Sequence, residues 1–326
     1  MKPRPCSCWS AQRTRRSLLI RSLLVAVFTC ACACAADDTP PRALQVDDLA
    51  VQVLVSDSDF SAGASPLLEW IRRSAAIVAH YYGRFPVREL RIRIQPVSGE
   101  GVRGGTTFGH AQGRPGGFIR VRVGRAVTAA QLIDDWVLVH EMIHLALPDV
   151  GEEHAWLSEG IAVYAEGVAR AQAGNRTIED VWTEQFHSMP KGLPQAGDRG
   201  LDNTHTWGRT YWGGALFCLE ADVEIHRRTH NRYGLQDALR AVNRESGGLG
   251  TDWPIERVFA TGDKAVGVPV LEELYARMKD APQSPDVAAL WRQLGVEPDG
   301  QSIRLRDDAP LSDVRKAITR RPAAAR

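Results

Sequence analysis

Two short segments alternate strictly between apolar and basic positions: Leu90-Arg-Ile-Arg-Ile94 and Ile119-Arg-Val-Arg-Val123. A period of two belongs to a strand with one wet face. It puts Arg91, Arg93, Arg120 and Arg122 on a solvated sheet face. Leu49–Val55 predicts another strand, and Leu67–Tyr82 has helical spacing that ends before Gly83. Between the alternating segments lies a glycine-rich stretch, 101–117, in which Thr106-Thr107-Phe108 suits an edge strand beside a flexible loop. From residue 128 the period becomes helical. Thr128–Leu147, Glu153–Gln172, Trp207–His226 and Leu235–Val242 each predict a helix, and 269–295 adds one or two more. A polar linker rich in Gly, Pro and Asn occupies 173–204. Residues 37–48, with Pro40-Pro41, read as an extended arm, and Arg315–Arg326 as a basic, disordered tail. The fold class that follows is α+β: a small N-terminal twisted sheet with helices, then a mainly helical C-terminal lobe. The expected boundaries are an N-terminal lobe at 37–127 with a substrate edge strand, a helical lobe at 128–295 and a partly disordered tail at 296–326.

The first 36 residues stand apart. Arg13, Arg15 and Arg16 precede an apolar run from Ser17 to Phe28, and Ala33-Cys34-Ala35 follows as an A-x-A cleavage site. Charged, apolar, then small is the order of a secretory signal. Arg21 interrupts the run, which is shorter than the roughly 20 apolar residues of a membrane span. The expectation is an exported protein, periplasmic or secreted, with no stable membrane insertion after cleavage. A twin-arginine route (Arg15-Arg16) and lipid attachment at Cys30, Cys32 or Cys34 are variants of the same reading. Cleavage would remove six basic and no acidic residues and move the net charge from +1 to −5, which argues against a nucleic-acid partner. It would also leave Cys218 as the single cysteine, in an apolar stretch that suits a buried small hydrophobe.

The chemistry concentrates in Trp136-Val-Leu-Val-His-Glu-Met-Ile-His-Leu-Ala-Leu147, where His140, Glu141 and His144 are the only polar side chains. So apolar a run describes a buried helix, and burying two imidazoles and a carboxylate without partners costs several kcal/mol. Positions i and i+4 share one helical face, so both rings reach one cation. Glu141 then lies beside the metal but angled away from ligation, where a base for a metal-activated water belongs. A catalytic zinc needs a third protein ligand. Asp149, Glu152, Glu153 and His154 lie in or near the turn after Pro148, as capping or solvated residues. Glu159 is the only acid in the apolar helical stretch Ala-Trp-Leu-Ser-Glu-Gly-Ile-Ala-Val-Tyr164, and an antiparallel helix would bring it to the histidines.

HEMIH followed by WLSEGIAVYAE resembles the gluzincins, and residues 210–222, TYWGGALFCLEAD, are similar to the Tyr-x-x-Gly-Ala helix of the aminopeptidase N and glycyl aminopeptidase families. The resemblance spans roughly residues 105–245. It implies a thermolysin-like zincin catalytic domain with one zinc per chain on His140, His144 and Glu159. It also implies Glu141 as general base and Tyr211 as donor to the oxyanion. His205 is a lesser oxyanion candidate, and Glu166 a candidate to orient a ligand histidine. Three features depart from those families. The gap between His144 and Glu159 is 14 residues, shorter than usual there. No Gly-x-Met-Glu-Asn segment grips a free amino group; Gly104-Gly105-Thr-Thr-Phe-Gly109 stands in its place. The expectation is a minimal catalytic unit without the large accessory domains of those families. The implied substrate is a peptide or unfolded protein. A zinc hydrolase of a non-peptide amide, such as a cell-wall linkage, and a peptide-binding relic of the fold are the rival readings.

Overall fold

The computed structural model describes residues 40–109 and 116–320, within one compact unit, Thr39–Arg326. The secretory segment and residues 321–326 therefore lie outside the described residues. Two strands open the fold, β1 (Arg42–Val46) and β2 (Leu49–Leu54), paired antiparallel through a tight turn at Asp47-Asp48. The arm expected over 37–48 is thus corrected at 42–46, where the chain joins the sheet. Helix α1 (Ser65–Tyr82) follows and ends at left-handed Gly83, as its spacing predicted. Strands β3 (Glu89–Val97), β4 (Val102–Phe108) and β5 (Gly117–Gly124) complete a sheet of order β1-β2-β3-β5-β4. β2, β3 and β5 run parallel, and β4 is an antiparallel edge. The alternation decides the faces. Leu90, Ile92, Ile94, Ile119, Val121 and Val123 are buried, while Arg93, Arg120 and Arg122 face solvent. β4 carries a register shift at Gly104, whose φ of +132° favours glycine.

The helical part departs from the sequence expectation at one informative place. Thr128–Leu147 is not one helix. α2 (Ala129–Asp134) stops at extended Asp135, and α3 (Val137–His144) starts anew. The Asp135 carboxylate accepts from the Leu138 backbone N–H at 3.2 Å and from the Trp70 indole at 3.1 Å. It caps α3 and ties it to α1. After Pro148 the chain turns, and α4 (Ala155–Gln172) runs back against α3. The linker at 173–204 is corrected too. It contains α5 (Ile178–Ser188), whose Thr177 side chain caps it and whose Val181 and Trp182 are buried. A π-helical turn at Gly208–Gly213 leads into α6 (Gly214–Arg228), then α7 (Leu235–Ser246). α8 (Ile255–Val266) is a helix the expectation lacked, followed by α9 (Val270–Met278) and α10 (Val287–Leu294). Residues 296–320 form a hairpin, β6 (Val296–Asp299) with β7 (Ser302–Leu305), and α11 (Ser312–Ile318). The tail reading from Arg315 is corrected because Arg315 is buried and donates to the carbonyls of Leu294, Gly295 and Arg306. No helix among the described residues is long and apolar enough to cross a membrane.

Candidate metal centre

α3 carries His140 and His144 on the face it turns to α4, and α4 presents Glu159 from its second turn. The His140 and His144 Nε2 atoms lie 3.2 Å apart, and Glu159 Oε2 lies 3.3 and 3.5 Å from them. These three are the group among the described residues whose ligand atoms could hold a metal ion. The chemistry of the trio fits one. Glu159 Oε2 is buried without a hydrogen-bond partner among the described residues, although both rings face it. Burial works against its charge, yet the two imidazoles prevail and hold the carboxyl down at about 2. A charged oxygen and two ring nitrogens converging in a buried place are a donor set for a divalent cation. Two nitrogens and one oxygen suit zinc with an open position. The other nitrogen of His144, Nδ1, meets Ser158 Oγ at 2.9 Å, which orients the ring.

The backbone approach that brings α4 to α6 explains the glycine after Glu159. A Cβ on Gly160 would sit 2.3 Å from the Gly214 carbonyl carbon, and one on Gly214 would sit 2.0 Å from Trp156 O. Gly214 thus lets α6 approach the backbone of α4, the helix of Glu159. That contact carries the π-helical turn, and with it Tyr211, to the trio. Burial first, then the charge and contact of Glu159, push the Tyr211 hydroxyl up to about 12, so it remains a donor near neutrality.

Glu141 is buried and held from the edge strand. Thr107 Oγ1 lies 2.6 Å from Glu141 Oε2 and 2.8 Å from the Glu141 carbonyl oxygen. Gly105 passes so close that a Cβ there would sit 2.5 Å from Glu141 Cγ. Together these residues line a cleft of about 440 Å³ that contains His140, Glu141, His144, Glu159 and Tyr211.

The remaining sequence candidates are not part of the trio. Asp149 and Glu152 line the same cleft but are exposed and outside the metal-binding group, and Glu153 is exposed. His154 Nδ1 meets Asp202 Oδ1 at 3.1 Å, at a carboxylate that also accepts from Trp156 and Tyr275. His205 is exposed and outside the cleft. Glu166 is corrected as a partner of a histidine. It is buried and accepts from Arg170 Nη1 at 2.8 Å. Cys218 is buried, and burial pushes its thiol up, as an inert core residue. Thr107 and Ser158 were missed. Ser158 had a local signal, one residue before Glu159; Thr107 had only its place in the edge strand.

No family model matches the chain, and no curated protein matches it by sequence. Solved structures do. An aminopeptidase N family protein from Idiomarina loihiensis aligns at 13% identity and a TM-score of 0.59, over 79% of this chain and 49% of that one. An M1 zinc metallopeptidase from Deinococcus radiodurans aligns at 13% identity and a TM-score of 0.46, over 76% of this chain and 53% of that one. The chain spans about half the length of these proteins. At such identity the likeness is one of fold: the small sheet and helical part of this chain share the architecture of an aminopeptidase N family protein.

Proposed function

We propose that the chain is an exported zinc metallopeptidase that hydrolyses peptide bonds. The observation that carries the reading is the convergence of His140 Nε2, His144 Nε2 and Glu159 Oε2, with the non-ligating Glu141 held beside them by Thr107. His140, His144 and Glu159 would hold a zinc ion, and the chemistry it would supply there is that of a Lewis acid that acidifies water and polarises the peptide carbonyl. Glu141 takes a proton from the water as its oxygen adds to the carbonyl carbon. It returns that proton to the nitrogen as the carbon–nitrogen bond breaks. Thr107 fixes the direction of the carboxylate through its bond to Oε2. Tyr211 donates to the oxygen that gains charge in the transition state. β4, the edge strand of the sheet among the described residues, offers backbone groups to an extended substrate. Export through cleavage near Ala36 belongs to the same proposal, and the N-terminal sequence of protein from the native envelope tests it.

The deciding experiment is Glu141→Gln. The variant keeps the three donors and loses the base, so it should retain one zinc per chain, lost on chelation, and hydrolyse unstructured protein at a negligible rate. A variant that cleaves at the wild-type rate would overturn the role of Glu141.

A further inference from the structure

His140 and Tyr211 line a second cavity as well as the cleft. This one, of about 270 Å³, lies between α4, α5 and the π-helical turn. Val163, Val181 and Met189 form apolar parts of its wall. Two indoles line it while remaining exposed, Trp136 at 52% and Trp207 at 62%. Trp136 stands edge-on to His140, with centroids 5.5 Å apart, and Trp207 stacks on Tyr211 at 6.0 Å. Exposed aromatics grouped beside a reactive centre mark a binding surface.

The carboxylates of this cavity are charge-paired, and its one lysine meets a hydroxyl and an indole. Glu166 accepts from Arg170 at 2.8 Å, Glu184 pairs with Arg176, and Lys191 donates to Ser188 Oγ at 3.0 Å. Both carboxylates are thus paired with arginines, so a cationic side chain finds no uncompensated negative charge there. Gln185 differs. It lines the cavity, is 6% exposed, and its Oε1 has no hydrogen-bond partner among the described residues. A buried amide without a partner is unfavourable until something completes it. An apolar cavity of about 150 Å³ accepts benzene, so 270 Å³ admits a six-membered ring and a hydroxyl.

We infer that this cavity receives one substrate side chain next to the scissile bond and selects a neutral aromatic ring with a hydrogen-bond donor at its tip, tyrosine before phenylalanine. The inference rests on the peptidase reading for its link to cleavage, and on Gln185 and the cavity for its selectivity. Gln185 acts on the choice of substrate and touches none of the metal-binding trio.

The test compares kcat/KM for peptides that differ only at the residues flanking the scissile bond, with Tyr, Phe, Lys or Ala at each in turn. Wild type should prefer Tyr to Ala by about a hundredfold, from the area buried, and Tyr to Phe by about threefold to tenfold, from one hydrogen bond. Gln185→Leu should erase the preference for Tyr over Phe and leave the Ala peptide at the wild-type rate, which also shows that the variant is folded. Equal rates for Tyr and Phe in wild type, or a preference for Lys, would overturn the inference while the peptidase reading stands. Calorimetric binding of N-acetyl-tyrosinamide and N-acetyl-phenylalaninamide separates the two claims. Tighter binding of the tyrosine amide, lost in Gln185→Leu, supports the cavity even if no peptide is cleaved. Equal binding of both amides overturns it.

Discussion

Replacing Gly105 by alanine adds one methyl group to the edge strand at the place where it faces the general base. That Cβ would sit 2.5 Å from Glu141 Cγ and 2.8 Å from both Cδ and Oε1. Apolar atoms rest at about 3.5–4.0 Å, so something must move by about 1 Å. Two movements are available, and both disturb the same group. The Glu141 side chain can swing away from β4. Alternatively the strand can retreat, which stretches the 2.6 and 2.8 Å bonds from Thr107 to Glu141. A displacement of about 1 Å of a reacting group costs about 10²-fold in rate, equivalent to about 2.7 kcal/mol of barrier. Overpacking of this kind lowers stability by about 1–3 kcal/mol. The three atoms nearest the methyl all belong to Glu141 and none to His140, His144 or Glu159, so bound zinc should be unchanged. The assay is kcat on a peptide substrate, with zinc content and thermal midpoint measured on the same preparation. A kcat within twofold of wild type would refute the claim that the close passage of Gly105 positions the base.

Thr107→Val removes the hydroxyl and keeps the shape, so kcat should fall about tenfold, the equivalent of a charge-assisted hydrogen bond of roughly 1.5 kcal/mol, with zinc retained on metal analysis. Glu159→Ala should lose zinc on dialysis far more readily than Glu152→Ala, Glu153→Ala or His154→Ala, because only Glu159 faces both imidazoles; undiminished zinc would move the third ligand elsewhere. Tyr211→Phe should lower kcat by about 10²–10³ and leave KM nearly unchanged, as loss of a transition-state donor does; steady-state kinetics at saturating zinc decide it. Glu166 sets a pH dependence of stability. Burial pushes its carboxyl from 4.5 up to about 7, against the opposing charge and hydrogen bond of Arg170. The folded state then holds the proton more tightly than the unfolded chain, so this contribution is present below about 4.5 and is lost as pH rises through about 7. Glu166→Gln should flatten that fall, and urea midpoints at pH 4.5 and pH 8 measure it.

Several features were legible from the chain alone because their signals are local. The i, i+4 spacing of His140 and His144 within an apolar run determined a buried helix with both rings on one face. Strict alternation determined which side of β3 and β5 is wet. The lone acid of an apolar helix singled out Glu159. Periodicity reports which face of an element is buried, but not against what, and the remaining features depend on that second question. The break at Asp135 needs Trp70, 65 residues away, to engage the carboxylate that caps α3. Thr107 reaches Glu141 across 34 residues, because α3 packs against β4. α5 looks like polar linker because only a narrow stripe of it, Val181, Trp182, Gln185 and Ser188, is covered, and half of that stripe is polar. Arg315 read as part of a disordered tail and Glu166 as a partner for a ligand histidine, yet each is buried with its hydrogen bonds completed by carbonyls or a guanidinium. Sequence patterning thus determined the chemistry each helix carries. Tertiary packing decided the partners, because hydrogen bonds between residues far apart in the chain form only after the helices and the sheet have buried their apolar faces together.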